Sequence, residues 1–213
     1  MNFLSQKKLE EYLNSCVDIP SDDTFWMTVA QTVSLSEDFI EEYEHNFYLS
    51  DLIINQILSE EFLRKRPSVD WTLVSRHQKL SENFIREYAS YLDWYWLSWE
   101  QELPERLIEE YEDLVDWCAI SSQQELSEDF IKQKLHRLNT HTITLYQELS
   151  EDFIKQNDWV DISSVLLNEK TIKNLSFEFI TNNVEYVTNI KLFKDMLSEK
   201  DYSFLLNLYN IKK

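Results

Sequence analysis

The sequence predicts an all-α fold, an α-solenoid of about eight helix-turn-helix repeats of about 23 residues with divergent terminal caps. Three observations carry that expectation. One six-residue phrase recurs at near-constant spacing, a second phrase recurs in the back half of the same units, and glycine is absent from all 213 residues.

The first phrase, LSEDFI, begins at Leu35, Leu126 and Leu149. LSEEFL from Leu58, LSENFI from Leu80, LPERLI from Leu103 and LSFEFI from Leu175 follow the same grammar, and LSEKDY from Leu197 is a weaker copy. Successive starts lie 23, 22, 23, 23, 23, 26 and 22 residues apart. Each copy reads as a helix start. The serine column (Ser36, Ser59, Ser81, Ser127, Ser150, Ser176) offers an N-cap hydroxyl to backbone N–H groups that have no intrahelical acceptor. Acids at the next positions, such as Glu37 and Asp38, face the positive end of the helix dipole. The leucine before the cap and the isoleucine after it, as in Leu35 with Ile40, form a hydrophobic staple. Pro104 replaces the serine in one copy, and a helix entrance tolerates proline.

The second phrase runs VDWTLVSRHQ from Val69, LDWYWLSWEQ from Leu92, VDWCAISSQQ from Val115 and LNTHTITLYQ from Leu138. Here Asp70, Asp93, Asp116 and Asn139 are the expected N-caps, and Val69–Val74, Leu92–Leu97, Val115–Ile120 and Leu138–Ile143 the staples. Each unit is therefore a helix A, a turn and a helix B. Neither helix buries its apolar face alone, and stacking of neighbours does so. Without glycine these helices lack the preferred residue just past their ends, so asparagine and local packing are expected to stop them.

The ends deviate. Residues 1–30 hold a single echo, Leu4-Ser5, and a break at 19–23, and are expected to form an N-terminal capping segment to a repeat domain at 31–213, one continuous domain overall. The spacing of 26 before Leu175 predicts a small insertion or bend within 157–174.

The LSEDFI…VDW pattern resembles short, uncharacterised helical repeats in proteins of large DNA viruses, including phages and giant viruses, over roughly residues 30–205. The resemblance implies a helical-repeat architecture and a viral or mobile-element origin, with host factors as partners. It implies no catalytic residues and no substrate.

Apolar residues make up 43% of the chain and aromatic residues 14%, enough for a folded core. The formal net charge is −19, and its distribution is uneven. Residues 1–60 hold 12 acids and 2 bases, residues 61–130 hold 16 and 7, and residues 131–213 hold 11 of each. Capping and solvation account for many acids but not for this asymmetry. Phosphate binding needs clustered Lys and Arg, so direct contact with nucleic acid is disfavoured, and anionic membranes likewise. No window approaches the ~18 apolar residues that span a bilayer, and the N-terminus reads as no secretory signal. Two cysteines, Cys16 and Cys118, make no disulfide framework, and the expected home is the cytoplasm, the host cytoplasm for a viral chain.

The densest acidic stretch, residues 87–116, sets ten acids against Arg106 and is rich in tyrosine and tryptophan. The column Trp71, Trp94, Trp117 recurs and reads as core, whereas the columns of Tyr95 and Trp99 vary from repeat to repeat. Tyr95 and Trp99 are spaced i, i+4 and share a helical face opposite the recurring apolar columns. With Glu100, Glu102, Glu105, Glu109, Glu110, Glu112 and Asp113 they make a candidate binding patch for a basic partner. The simpler account is that both aromatics pack on a neighbouring repeat.

Chemistry-bearing motifs are scarce. His45, His77, His136 and His141 show no HExxH spacing and no matching ligand set, so no metal and no cofactor are expected. Cys118 has no adjacent histidine to activate it. The expected function is therefore not enzymatic but that of an acidic protein-binding module, a viral inhibitor that sequesters a host or defence protein. The alternative is a nucleic-acid mimic that occupies the cleft of a nucleic-acid-binding protein.

Overall fold

The computed structural model describes residues 5–66 and 68–212, and every regular element among them is helical. The chain forms two compact units, Met1–Leu103 and Pro104–Lys213. The first holds α1 (Gln6–Ser15), α2 (Asp23–Thr32), α3 (Glu37–Glu42), α4 (Leu49–Asn55), α5 (Glu60–Arg64), α6 (Trp71–His77), α7 (Glu82–Glu87) and α8 (Trp94–Glu100). The second holds α9 (Glu105–Glu110), α10 (Trp117–Gln123), α11 (Glu128–Lys134), α12 (Thr140–Tyr146), α13 (Glu151–Gln156), α14 (Ile162–Val165), α15 (Glu169–Ile172), α16 (Phe177–Asn182) and α17 (Glu199–Lys212). None of these helices is long and apolar enough to cross a membrane.

This is the all-α solenoid of short helix pairs. Within the first unit the B helices stack in a row, α2 on α4, α4 on α6 and α6 on α8; within the second, α10 packs on α12 and α12 on α14. Most helices run only five to seven residues, far below the length at which a helix persists alone, so packing holds them. Both phrases do what their spacing predicts. The hydroxyls of Ser36, Ser59, Ser81, Ser127, Ser150 and Ser176 each accept the N–H of the phenylalanine three residues on, at 3.1–3.3 Å. Asp70, Asp93, Asp116 and Asn139 cap α6, α8, α10 and α12. The staple residues Ile40, Val74, Leu97, Ile120 and Ile143 have no exposed surface at all.

No described residue has positive φ, so the helices end without a left-handed residue. Asparagine serves at some ends: Nδ2 of Asn157 and of Asn183 donates to the carbonyls of Phe153 and Phe179, at 2.7 and 2.9 Å. At the equivalent place Arg66 donates to the Phe62 carbonyl instead.

The N-terminal segment is itself a helix pair. Gln6 stands in the glutamate column and its Oε1 accepts the N–H of Ser36 at 2.7 Å, while α2 occupies a B-helix place beside α4. Residue 30 lies inside α2, which ends at Thr32. Leu4 of the Leu4-Ser5 echo lies outside the described residues.

The longer spacing before Leu175 is also explained. A further copy of the second phrase, Val160-Asp161-Ile162, opens α14 with Asp161 as its cap. The B helix then breaks at Leu166, and an additional turn, α15, capped by Asn168, takes up the three surplus residues.

Candidate binding surface

The recurring polar residues face inward. Most B helices end on an amide that spans two repeats, buried at Gln56, Gln78 and Gln147 and half-buried at Gln101. Gln56, Gln78, Gln101 and Gln147 accept the N–H of Leu35, Leu58, Leu80 and Leu126, at 2.9–3.1 Å. The Nε2 of Gln56 donates to the carbonyls of Ala30 and Val33, and the Nε2 of Gln147 to those of Ser121 and Gln124. A turn from helix B into the next helix A leaves one N–H and two carbonyls without backbone partners. A glutamine amide, with one oxygen and two N–H groups, matches that set. At the irregular repeat the task is divided. Asn168 donates to the carbonyls of Thr144 and Gln147, and the hydroxyl of Thr171 accepts from Leu149 N–H at 3.1 Å. Val33 stands where the next glutamine toward the N-terminus would fall, 23 residues before Gln56.

A second ladder runs the other way along the chain. The first-turn glutamates Glu60, Glu105, Glu128 and Glu151 accept the N–H of the serine opening the next repeat, Ser81, Ser127, Ser150 and Ser176. A third uses Ser75 and Ser121, whose hydroxyls accept from the N–H of Asp93 and Asn139, at 2.8 and 3.0 Å. Sequence reasoning missed the amide ladder, although a glutamine closes all four copies of the second phrase. It read the glutamates as dipole partners only.

Three ladders therefore absorb the recurring amide, serine and first-turn glutamate columns, and the other polar and variable columns decorate the surface. In the first unit Tyr95 is half exposed, and its ring lies 6.2 Å from that of Trp99. Trp99 is less open than its variable column suggests: its indole Nε1 is buried and has no hydrogen-bond partner among the described residues. Arg76, in the Trp99 column one repeat earlier, lies over the Trp96 ring, 4.0 Å from its centroid. Ile54 and Met27, on equivalent B-helix positions of earlier repeats, are also exposed. Glu100 and Glu102 are exposed and form no ion pair among the described residues.

The second unit divides the remaining candidates. Glu105 belongs to the scaffold, through Ser127 N–H. Glu112 pairs with Lys134 at 2.7 Å, and this hydrogen bond and charge hold its carboxyl below the usual glutamate range. Asp113 pairs with Arg137 at 3.0 Å. At least three of the seven predicted acids are thus engaged in joining repeats. Glu109 and Glu110 are exposed on α9.

The second unit also carries a groove of about 650 Å³ along its stacked turns, lined by Glu105, Glu125, Glu128, Glu148 and Glu151 together with Lys170. Glu125 and Glu148 are exposed, and they occupy the same column as Glu102 of the first unit. Asn174 donates to Glu148 at 2.6 Å. Burial alone would raise the carboxyl of Glu151, but hydrogen bonds from Lys155 and Ser176 outweigh it and hold it low.

His45, His77, His136 and His141 are all exposed, as is Cys118, while Cys16 is half-buried. Among the described residues no group of three or more His, Cys, Asp or Glu is placed to hold a metal ion. The chain matches no protein-family model, no curated protein and no solved structure.

Proposed function

We propose that the chain is a protein-binding helical-repeat module whose partner presents a basic surface. One observation carries this reading: the recurring glutamines, serines and first-turn glutamates are spent inside the scaffold, so the exposed face is left to the variable aromatic columns and to the acidic column of Glu102, Glu125 and Glu148. Tyr95 with Glu100 and Glu102 in the first unit, and the Glu125–Glu148 groove in the second, offer apolar anchors and unsaturated negative charge. Such surfaces recruit basic partners by steering and hold them by desolvated contacts. The resemblance to viral repeats makes a host or defence protein the natural target, in the cytoplasm.

Affinity capture from host extract with the tagged chain tests the reading. Glu100→Lys/Glu102→Lys and Glu125→Lys/Glu148→Lys variants are run beside the wild type. A partner whose association slows about tenfold or more with either pair, and whose binding weakens with salt, supports it. Unchanged association with both variants removes the acidic surface from the mechanism. The nucleic-acid-mimic alternative makes a further demand: duplex DNA must displace the partner. Glu105, Glu112 and Asp113 are already engaged internally, which leaves that reading fewer carboxylates to imitate a row of phosphates.

A further inference from the structure

Three aromatic rings run along α8. Tyr95 meets Trp96 edge-on, with centroids 5.1 Å apart, and its ring lies 6.2 Å from that of Trp99. Tyr95 is 50% exposed, and Trp96 and Trp99 are half-buried. One end of the run already carries a cation from the chain itself. The Arg76 guanidinium reaches from α6, which stacks on α8, and lies 4.0 Å from the Trp96 centroid. The other end, Tyr95 with Trp99, carries none among the described residues. The columns of Trp99 and Glu102 hold Arg76 and Lys79 one repeat earlier, so at α8 the chain exchanges two cations for a ring and a carboxylate. Glu100 follows Trp99 directly and Glu102 stands just past the helix end. Both are exposed and form no ion pair among the described residues.

We propose that Tyr95, Trp99, Glu100 and Glu102 form an arginine-recognition site, where a guanidinium of the partner lies over the open rings with its N–H groups toward the carboxylates. The proposal rests on the basic-partner reading and narrows it to one kind of side chain. Arginine fits for two reasons. Its guanidinium is planar and weakly hydrated, so it covers a ring face better than the compact, strongly hydrated ammonium of lysine. Its fork of N–H donors also matches a carboxylate in two parallel bonds. The Arg76–Trp96 contact is the same chemistry with both partners in one chain. One column on, the rings remain and the cation comes from outside. Charge favours the approach, because residues 1–103, the first compact unit, hold 19 acids against 8 bases.

Titration of the full chain with octa-arginine and octa-lysine peptides tests it. Binding is followed by the indole N–H resonances of the seven tryptophans, with Trp99→Phe to assign that of residue 99. The expected result is about tenfold or more tighter binding of octa-arginine, with the Trp99 resonance shifting. Tyr95→Phe keeps the ring and is expected to keep this preference. Tyr95→Ala, at an exposed position and with an unchanged circular dichroism spectrum, is expected to bring the two affinities within about threefold of each other. Glu100→Gln/Glu102→Gln is expected to weaken both peptides. Equal affinities in the wild type, or a preference that survives Tyr95→Ala, overturn the arginine site and leave the basic-partner reading standing. Binding of neither peptide overturns both.

Discussion

The backbone N–H of Leu126 donates to Oε1 of Gln147 at 3.1 Å, across 21 residues of chain. The Nε2 of the same amide donates to the Ser121 and Gln124 carbonyls at 3.0 and 2.8 Å, so one side chain satisfies three backbone groups of the preceding turn. Gln147 is 3% exposed, and water does not replace it freely. Gln147→Ala is therefore expected to cost about 3 kcal/mol or more, from unsatisfied groups at about 1–3 kcal/mol each and a cavity. Gln123, exposed in α10, is the control, and Gln123→Ala is expected to stay within about 0.5 kcal/mol. Urea unfolding of the two variants checks both values; equal losses would show that the buried ladder is no special support.

The divided ladder at the irregular repeat makes a sharper test, because its acceptor sits on Thr171, whose hydroxyl also donates to the Gln147 carbonyl at 3.0 Å, apart from the Asn168 amide that serves both carbonyls. Thr171→Val keeps the shape of the side chain and removes the hydroxyl that accepts from Leu149 N–H. The Gln147 carbonyl keeps its bond from Asn168 at 2.6 Å. One buried N–H is left without a partner, and the expected loss is about 1–3 kcal/mol. Faster amide hydrogen exchange at Leu149, with Leu126 unchanged, would locate the loss in that one bond.

The fold was legible because its signals are local. A serine three residues before a phenylalanine, or an aspartate before an apolar run, forms its cap with its own helix, and repetition makes the pattern visible. The candidate patch was legible only in part, because its residues differ in partners about one repeat away. Glu105 and Glu102 look alike in sequence, yet Glu105 reaches Ser127 while Glu102 stays in solvent. Lys134 and Arg137 lie 22 and 24 residues beyond Glu112 and Asp113, so composition alone placed them apart. Trp99 occupies a variable column, which left open both exposure and packing on a neighbouring repeat, and its Nε1 is buried. Val160-Asp161 escaped notice because the tryptophan of the phrase is Ile162 there.

Acid is expected to loosen the repeats. The carboxyls of Glu87, Glu112, Glu151 and Asp161 all lie below their usual values in the folded chain. Arg64 holds Glu87 low, Lys134 holds Glu112 low, and the Ser164 and Ser163 hydroxyls hold Asp161 low. A carboxyl that binds its proton less readily when folded contributes its stability above the unfolded value, near 4.5 for glutamate and 3.8 for aspartate. That contribution is lost as pH falls through the folded value. Urea midpoints are therefore expected to be nearly level from pH 7 to about 5 and to drop below about 4.5. Glu151→Gln is expected to flatten the acid limb. A limb unchanged by that substitution would assign the acid sensitivity to other groups.

Trp94 and Trp99 stand on the same helix, one turn and a little apart, and make opposite use of their indole nitrogens. Trp94 is 7% exposed and its Nε1 donates to the Ala89 carbonyl at 2.9 Å, tying α8 to the turn before it. The Nε1 of Trp99 is buried without an acceptor among the described residues. Replacement by phenylalanine removes the donor in both cases and shrinks the ring in both. At position 94 it also strands a carbonyl, whereas at position 99 it removes a polar atom that was desolvated without return. Trp94→Phe is thus expected to cost about 1–2 kcal/mol more than Trp99→Phe, measured by urea unfolding. Equal costs would mean that the two nitrogens are paired alike in solution. If the difference holds, Trp99→Phe leaves the scaffold intact and becomes a clean probe of the Tyr95 surface, because any loss of partner affinity in it then belongs to the interface and not to the fold.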